Sequence, residues 1–204
     1  MQSNIKKQLR IYFISSSEIG LDRIEEALKS GVTMFQLREK GDHILSGEAL
    51  TAFALNLKKL TEKYNVPLII NDDTELAETV NADGIHLGQD DLKPSELSSF
   101  FNEKIVGLSV ADQNELSVSD LSRVDYIGTG PVFETLSKKD AGKAIGTKGL
   151  KAIREAVGEL PIVAIGGITH QNFKECLKNG ADGISVISAI SHADDIKTAV
   201  RSFM

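Results

Sequence analysis

A single closed (β/α)8 barrel is the fold class this sequence predicts, and three observations predict it. Short runs rich in Ile and Val alternate with longer amphipathic stretches along the whole chain, an order that gives an α/β fold. The runs are nearly continuous in apolarity, as in Ile162-Val163-Ala164-Ile165 and Leu68-Ile69-Ile70, which fits parallel strands covered on both faces. Equivalent turns also recur: Asn81-Ala82-Asp83-Gly84-Ile85, Gly180-Ala181-Asp182-Gly183-Ile184 and a related Val124-Asp125-Tyr126-Ile127-Gly128 each precede a strand. Repetition of one turn suits a closed barrel better than two unrelated domains.

The strand candidates, in order, are residues 10–16, 33–39, 67–72, 84–89, 104–110, 125–132, 161–167 and 183–190. Helical patterns lie between them; Leu50, Phe53, Leu57 and Leu60 share one apolar face. Gly31 and Gly180 follow two of these helices, where glycine readily supplies a left-handed cap. A doubly wound open sheet is the alternative, weakened by the lack of a Gly-x-Gly-x-x-Gly turn after the first strand. No linker or low-complexity segment interrupts the pattern, so one domain over residues 1–204 is expected. That length is near the lower limit for eight units.

Composition narrows the function classes. A hydrophobic content of 41% with 25% charged residues is that of an ordinary soluble globular protein. A net charge of -6 argues against a general nucleic-acid binder, which needs a surplus of Lys and Arg. It leaves room for a local cationic pocket. The single cysteine, Cys176, excludes an internal disulfide and reads as a packing residue of a helix. The polar, basic first ten residues lack a following apolar run, unlike a signal peptide, and no stretch has the length of a membrane span. The expectation is a cytoplasmic protein with small-molecule substrates, no nucleic-acid or membrane partner, and homo-oligomerisation left open.

Barrels of this kind place their active sites at the C-terminal ends of the strands. There, strand two ends in Gln36-Leu37-Arg38-Glu39-Lys40, with Gln36, Arg38 and Lys40 on one face by period-two alternation. Strand three ends in Asn71-Asp72-Asp73, strand four in Gly88-Gln89-Asp90-Asp91, and strand five carries Ser109. A polar loop, Thr135-Leu136-Ser137-Lys138-Lys139-Asp140, follows strand six. Solvation alone accounts for any one of these residues. As a set they suit Mg2+ held between acidic side chains and a polyphosphate, with cations on the remaining phosphate oxygens. Gly166-Gly167 and Ser188 end strands seven and eight, where barrels often hold a phosphate; the bland reading of the glycines is a tight turn. His86 reads as a hydrogen-bonded interior histidine, and His43 beside Asp42 as a solvated one. No zinc-protease, paired-cysteine or Ser-His-Asp pattern is present.

Gln36-Leu37-Arg38-Glu39-Lys40, Ile70-Asn71-Asp72, Gly84-Ile85-His86-Leu87-Gly88-Gln89-Asp90-Asp91 and Gly128-Thr129-Gly130-Pro131-Val132-Phe133 carry a resemblance to the thiamine phosphate synthase family. Lys138-Lys139-Asp140, Ala164-Ile165-Gly166-Gly167-Ile168 and Val186-Ile187-Ser188-Ala189-Ile190 continue it in order, so it covers nearly the whole chain. It implies a reaction in which hydroxymethylpyrimidine pyrophosphate loses pyrophosphate to give a pyrimidine-methyl cation, captured by the nitrogen of a thiazole phosphate. It further implies that Asp72 and Asp91 hold Mg2+, and that Arg38, Lys40, Asn71 and Lys138 contact pyrophosphate. Gln36 and Ser109 would face the pyrimidine, with Ser109 and Lys138 catalytic. Thr135, Ser137, Gly167, Ile187 and Ser188 would form the thiazole phosphate side. Loop six would close over the reacting cation.

Three departures accompany it: Asp73 where the family commonly has Arg, Ser137 for a frequent Thr, and Val110-Ala111-Asp112 for a His-containing run. Two rivals stand beside the synthase. A thiazole tautomerase of the same superfamily, which Val132-Phe133-Glu134-Thr135 slightly resembles, has no use for a metal and pyrophosphate cluster. A non-catalytic barrel that binds thiamine phosphate is the other.

Overall fold

The computed structural model describes residues 2–41, 44–135 and 142–204. Eight parallel strands close into one barrel in sequence order: β1 (Ile11–Ser15), β2 (Met34–Leu37), β3 (Leu68–Asn71), β4 (Gly84–Leu87), β5 (Ile105–Ser109), β6 (Tyr126–Thr129), β7 (Ile162–Ile165) and β8 (Gly183–Val186). The sheet closes through Tyr12, which pairs with Met34 on one side and Ser185 on the other. The helices among the described residues are α1 (Gln2–Gln8), α2 (Leu21–Ser30), α3 (Gly47–Lys63), α4 (Thr74–Thr79), α5 (Gln113–Val118), α6 (Gly146–Val157), α7 (Phe173–Lys178), α8 (Ser188–Ser191) and α9 (Ile196–Arg201). None is long and apolar enough to cross a membrane.

Alternation along each strand separates two cores. Phe13, Phe35, Leu68, Ile70, Ile85, Val106, Ile127 and Ile162 face outward and pack under the helices. Tyr12, Ile14, Met34, Ile69, Tyr126 and Val163 fill the lumen, so the barrel is a packed core and not a pore. Helix α1 plugs the lumen's N-terminal mouth, because Ile5 and the fully buried Leu9 join that inner cluster. Leu57 is buried on α3, with Leu50, Phe53 and Leu60 packed beside it as their spacing predicts. Cys176 is buried in α7, and burial pushes its thiol up to about 11, which suits packing and not nucleophilic chemistry.

The recurring turn has a mechanical role. Asp83 accepts from Leu68 N (2.8 Å), Asp125 from Val106 N (2.9 Å) and Asp182 from Ile162 N (2.9 Å). Each carboxylate before an even strand thus ties down the first or second residue of the odd strand beside it. Thr33 does the same before β2, accepting from Ile11 N at 2.8 Å. The barrel is fastened at its N-terminal end, which leaves the opposite rim for function.

Every strand is shorter than its sequence signal, and β6 and β8 fall furthest short. β6 stops at Thr129 because the chain turns at Gly130-Pro131, a cis peptide, and Val132 N and Phe133 N bond across to Ile165 O and Gly166 O. β8 stops at Val186, and Ser188 opens α8 where the apolar run predicts continued strand. The fourth crossover also departs from the pattern: 3-10 helices Pro94–Glu96 and Ser99–Glu103 stand between β4 and β5 in place of an α-helix. Pro94 lacks an N–H and sits at a first helical position, so no helix runs through it.

Candidate active site

A cavity of about 950 Å3 opens at the C-terminal ends of the strands, a volume suited to a pair of small phosphorylated molecules. It gathers residues far apart in the chain. Arg38, Lys40, Asn71, Asp72, Asp91, Ser109, Thr135, Gly167, Ile187 and Ser188 all line it. Ser137, Lys138 and His43 lie outside the described residues. Gln36 is absent from the lining among the described residues: it is buried below, with its side-chain amide on the Tyr12 hydroxyl.

The acidic side is built by backbone geometry. Asp72 follows β3 with a positive φ of 62°, held by its N–H on His86 O at 2.9 Å. A left-handed non-glycine residue is a strained conformation that recurs where a side chain must be aimed. Lys40 Nζ lies 2.6 Å from Asp72 Oδ2. Burial holds the Asp72 carboxyl above its usual range; Lys40 draws it down and the adjoining Asp91 carboxyl pushes it up again. Asp91 is itself fixed by Gly88 N, which donates to Oδ2 at 2.6 Å. Two adjoining carboxylates with one ammonium make a place for a divalent cation. Among the described residues no third His, Cys, Asp or Glu joins them, and Mg2+ needs only one or two carboxylates when phosphates and water complete its shell. The residues fit the ion.

Alternation puts Glu39 on the other side of its strand end from Arg38 and Lys40. Its carboxylate receives the N–H and hydroxyl of Ser17 and the Leu45 N–H, which pins the turn that carries both cations. Asp73, the first of the departures noted in the sequence, caps α4 by accepting from Leu76 N at 2.9 Å. Asp112 likewise caps α5 through Asn114 N and Glu115 N. Both departures are thus helix caps.

On the opposite wall, Gly166 and Gly167 have φ of 93° and 62°. A Cβ on Gly166 would collide with Pro131, and one on Gly167 with Phe133 and Glu134. Close packing of β7 on the turn after β6 therefore requires both glycines, whatever binds beside them. Gly167 O also receives Asn172 Nδ2 at 2.9 Å. Ser109 Oγ lies 3.0 Å from His86 Nε2, and His86 is buried and hydrogen-bonded as its position predicts.

A sequence model described as thiamine monophosphate synthase matches residues 11–190. The chain belongs to this family. It is 52% identical over 201 residues to a thiamine-phosphate synthase of Streptococcus suis, covering 96% of this chain and 88% of that one. It is 47% identical over 204 residues to the Staphylococcus epidermidis enzyme of the same name, covering 97% and 96%. A solved structure titled thiamine phosphate pyrophosphorylase from Pyrococcus furiosus superposes with a TM-score of 0.87 at 33% identity, over 98% of this chain and 95% of that one.

Within this thiamine monophosphate synthase family member, sequence reasoning passed over Tyr12, Tyr126 and Ser185. Tyr12 and Tyr126 are fully buried in the lumen, and their hydroxyls lie 2.9 Å apart. Ser185 lines the cavity at 2% exposure, and its hydroxyl has no hydrogen-bond partner among the described residues. Period-two phase was the available signal: Tyr12 alternates with the outward Phe13, and Ser185 with the outward Ile184 and Val186.

Proposed function

We propose that this chain joins hydroxymethylpyrimidine pyrophosphate to hydroxyethylthiazole phosphate, giving thiamine phosphate and pyrophosphate. The observation that carries the reading is the Asp72, Asp91 and Lys40 cluster on the rim of a family barrel. A tautomerase has no use for adjoining carboxylates beside a lysine, and the site fits a departing pyrophosphate with its metal. Asp72 and Asp91 would hold Mg2+, which supplies charge neutralisation at the leaving group.

The chain's own residues do the rest. Arg38, Lys40, Asn71 and Lys138 bind the pyrophosphate oxygens and stabilise the charge that develops as the carbon–oxygen bond breaks. Ser109, at the cavity floor, meets the pyrimidine near the breaking bond. Thr135, Ser137, Gly167, Ile187 and Ser188 hold the thiazole phosphate on the facing wall, so that its nitrogen lies close to the reacting carbon. Gln36 supports the pyrimidine pocket from beneath. The phosphorylated substrates are small and water-soluble, and a cytoplasmic setting accompanies this reading.

Purified protein with Mg2+ should release pyrophosphate only when both substrates are present, and EDTA should stop the release. An unchanged rate in EDTA removes the metal from the account; release with the pyrimidine substrate alone, at the same rate, removes the condensation.

A further inference from the structure

Beneath the cavity floor, five side chains from five strands form one hydrogen-bonded chain across the lumen. Gln36 Nε2 donates to the Tyr12 hydroxyl at 2.6 Å, and that hydroxyl lies 2.9 Å from the hydroxyl of Tyr126. The Tyr126 hydroxyl is 2.9 Å from His86 Nδ1, and His86 Nε2 is 3.0 Å from Ser109 Oγ. Gln36, Tyr12 and Tyr126 are buried below the floor, and the mostly buried His86 reaches the cavity beside Ser109. Gly107 on β5 leaves the space this arrangement needs, since a Cβ there would collide with both the Tyr126 and His86 rings.

The chain has a direction, set at its closed end. An amide nitrogen can only donate, so Tyr12 oxygen accepts and its own proton goes to Tyr126. Tyr126 oxygen then accepts from Tyr12, and its own proton is satisfied by a bare His86 Nδ1. A neutral imidazole with a bare Nδ1 carries its proton on Nε2, and donates it to Ser109 Oγ. Burial raises both phenols above their ordinary range, so each keeps the single proton this ordering assigns it. With its oxygen receiving His86, the Ser109 hydroxyl has its own proton left for the cavity.

We propose that Gln36, Tyr12, Tyr126 and His86 are positioning residues that fix the His86 tautomer and present Ser109 to the substrate as a hydrogen-bond donor. This rests on the synthase reading and deepens it. An oxygen that gains negative charge as pyrophosphate leaves is stabilised by a preoriented donor, and needs neither a base nor a nucleophile. The relay supplies that orientation through Tyr12 and Tyr126, which lie in the lumen below the cavity.

The test is 1H–15N correlation NMR of His86 in the ligand-free parent, Tyr126→Phe and Tyr12→Phe, with steady-state kinetics on each. The parent is expected to show a protonated Nε2 and a bare Nδ1. Both variants are expected to show a mixture of tautomers and a kcat lower by about tenfold, with KM for both substrates within about twofold. Tyr12→Phe leaves the Tyr126–His86 contact in place, so it reads the relay even if Tyr126→Phe folds poorly. A protonated Nδ1 in the parent overturns the direction. An unchanged tautomer or an unchanged kcat in a folded variant overturns the relay. A parent that shows the expected tautomer but forms no thiamine phosphate overturns the synthase reading and leaves the hydrogen-bond order intact.

Discussion

Lys40 Nζ sits 2.6 Å from the Asp72 carboxylate, whose other neighbour is the carboxyl of Asp91. One ammonium faces two acids in a partly buried site, so the cluster retains negative charge for a cation. The conflict between the acids is a cost to the fold that a bound ion relieves.

Asp72→Asn should therefore separate function from stability. Turnover is expected to fall by about a hundredfold or more as the metal site is weakened, while Tm of the metal-free protein at neutral pH rises. The sign follows from the raised Asp72 carboxyl. A folded group that holds its proton to higher pH than the unfolded one stabilises at low pH, and that contribution is lost as pH rises through its folded pKa. The Tm gain of the variant should accordingly grow from the ordinary carboxylate range toward neutrality. Thermal melts across that range check it; a lower Tm at neutral pH contradicts it.

Lys138→Ala should lower kcat by about a hundredfold without changing the circular dichroism spectrum, if this residue neutralises the leaving group. Normal turnover in the variant removes loop six from the chemistry.

Asp83→Ala should act on the fold alone. Its carboxylate receives both Leu68 N and the buried Lys58 ammonium, each at 2.8 Å. Removing it leaves a strand N–H unpaired and the Lys58 ammonium with Glu62 alone, 3.2 Å away, at a cost of about 2 kcal/mol. Urea unfolding measures this, and the KM values of the folded fraction should not move.

Ser185→Ala should cost the free protein little, since the hydroxyl has no partner among the described residues to lose. The expected effect is a KM raised about fivefold for one substrate, as the hydroxyl meets a polar atom of the ligand. Unchanged kinetics for both substrates show that Ser185 serves packing only.

Much of this was legible in the sequence, for identifiable reasons. Strand order and the rim residues follow from period-two alternation: Arg38 and Lys40 reach the cavity while Glu39 anchors the turn beside them. The repeated Asp of Asp83, Asp125 and Asp182 signalled equivalent turns, but its bond to the neighbouring strand is a contact between units that no local pattern encodes. Gln36 was the instructive case. Alternation gave its inward face correctly but not its depth, and it lies below the floor, where Tyr12 takes its amide. The tyrosine relay escaped for the same reason, because a phenol within a short strand looks like core until its partners across the lumen are known.

In the proposed reaction Asp72 and Asp91 together would hold the metal of a pyrophosphate complex. Crystals soaked in Mn2+ and pyrophosphate, measured at the manganese absorption edge, test it most directly. One anomalous peak is expected between the Asp72 and Asp91 carboxylates, with pyrophosphate density reaching Arg38 and Lys40. A fully occupied peak elsewhere, with these two carboxylates bare, would contradict it.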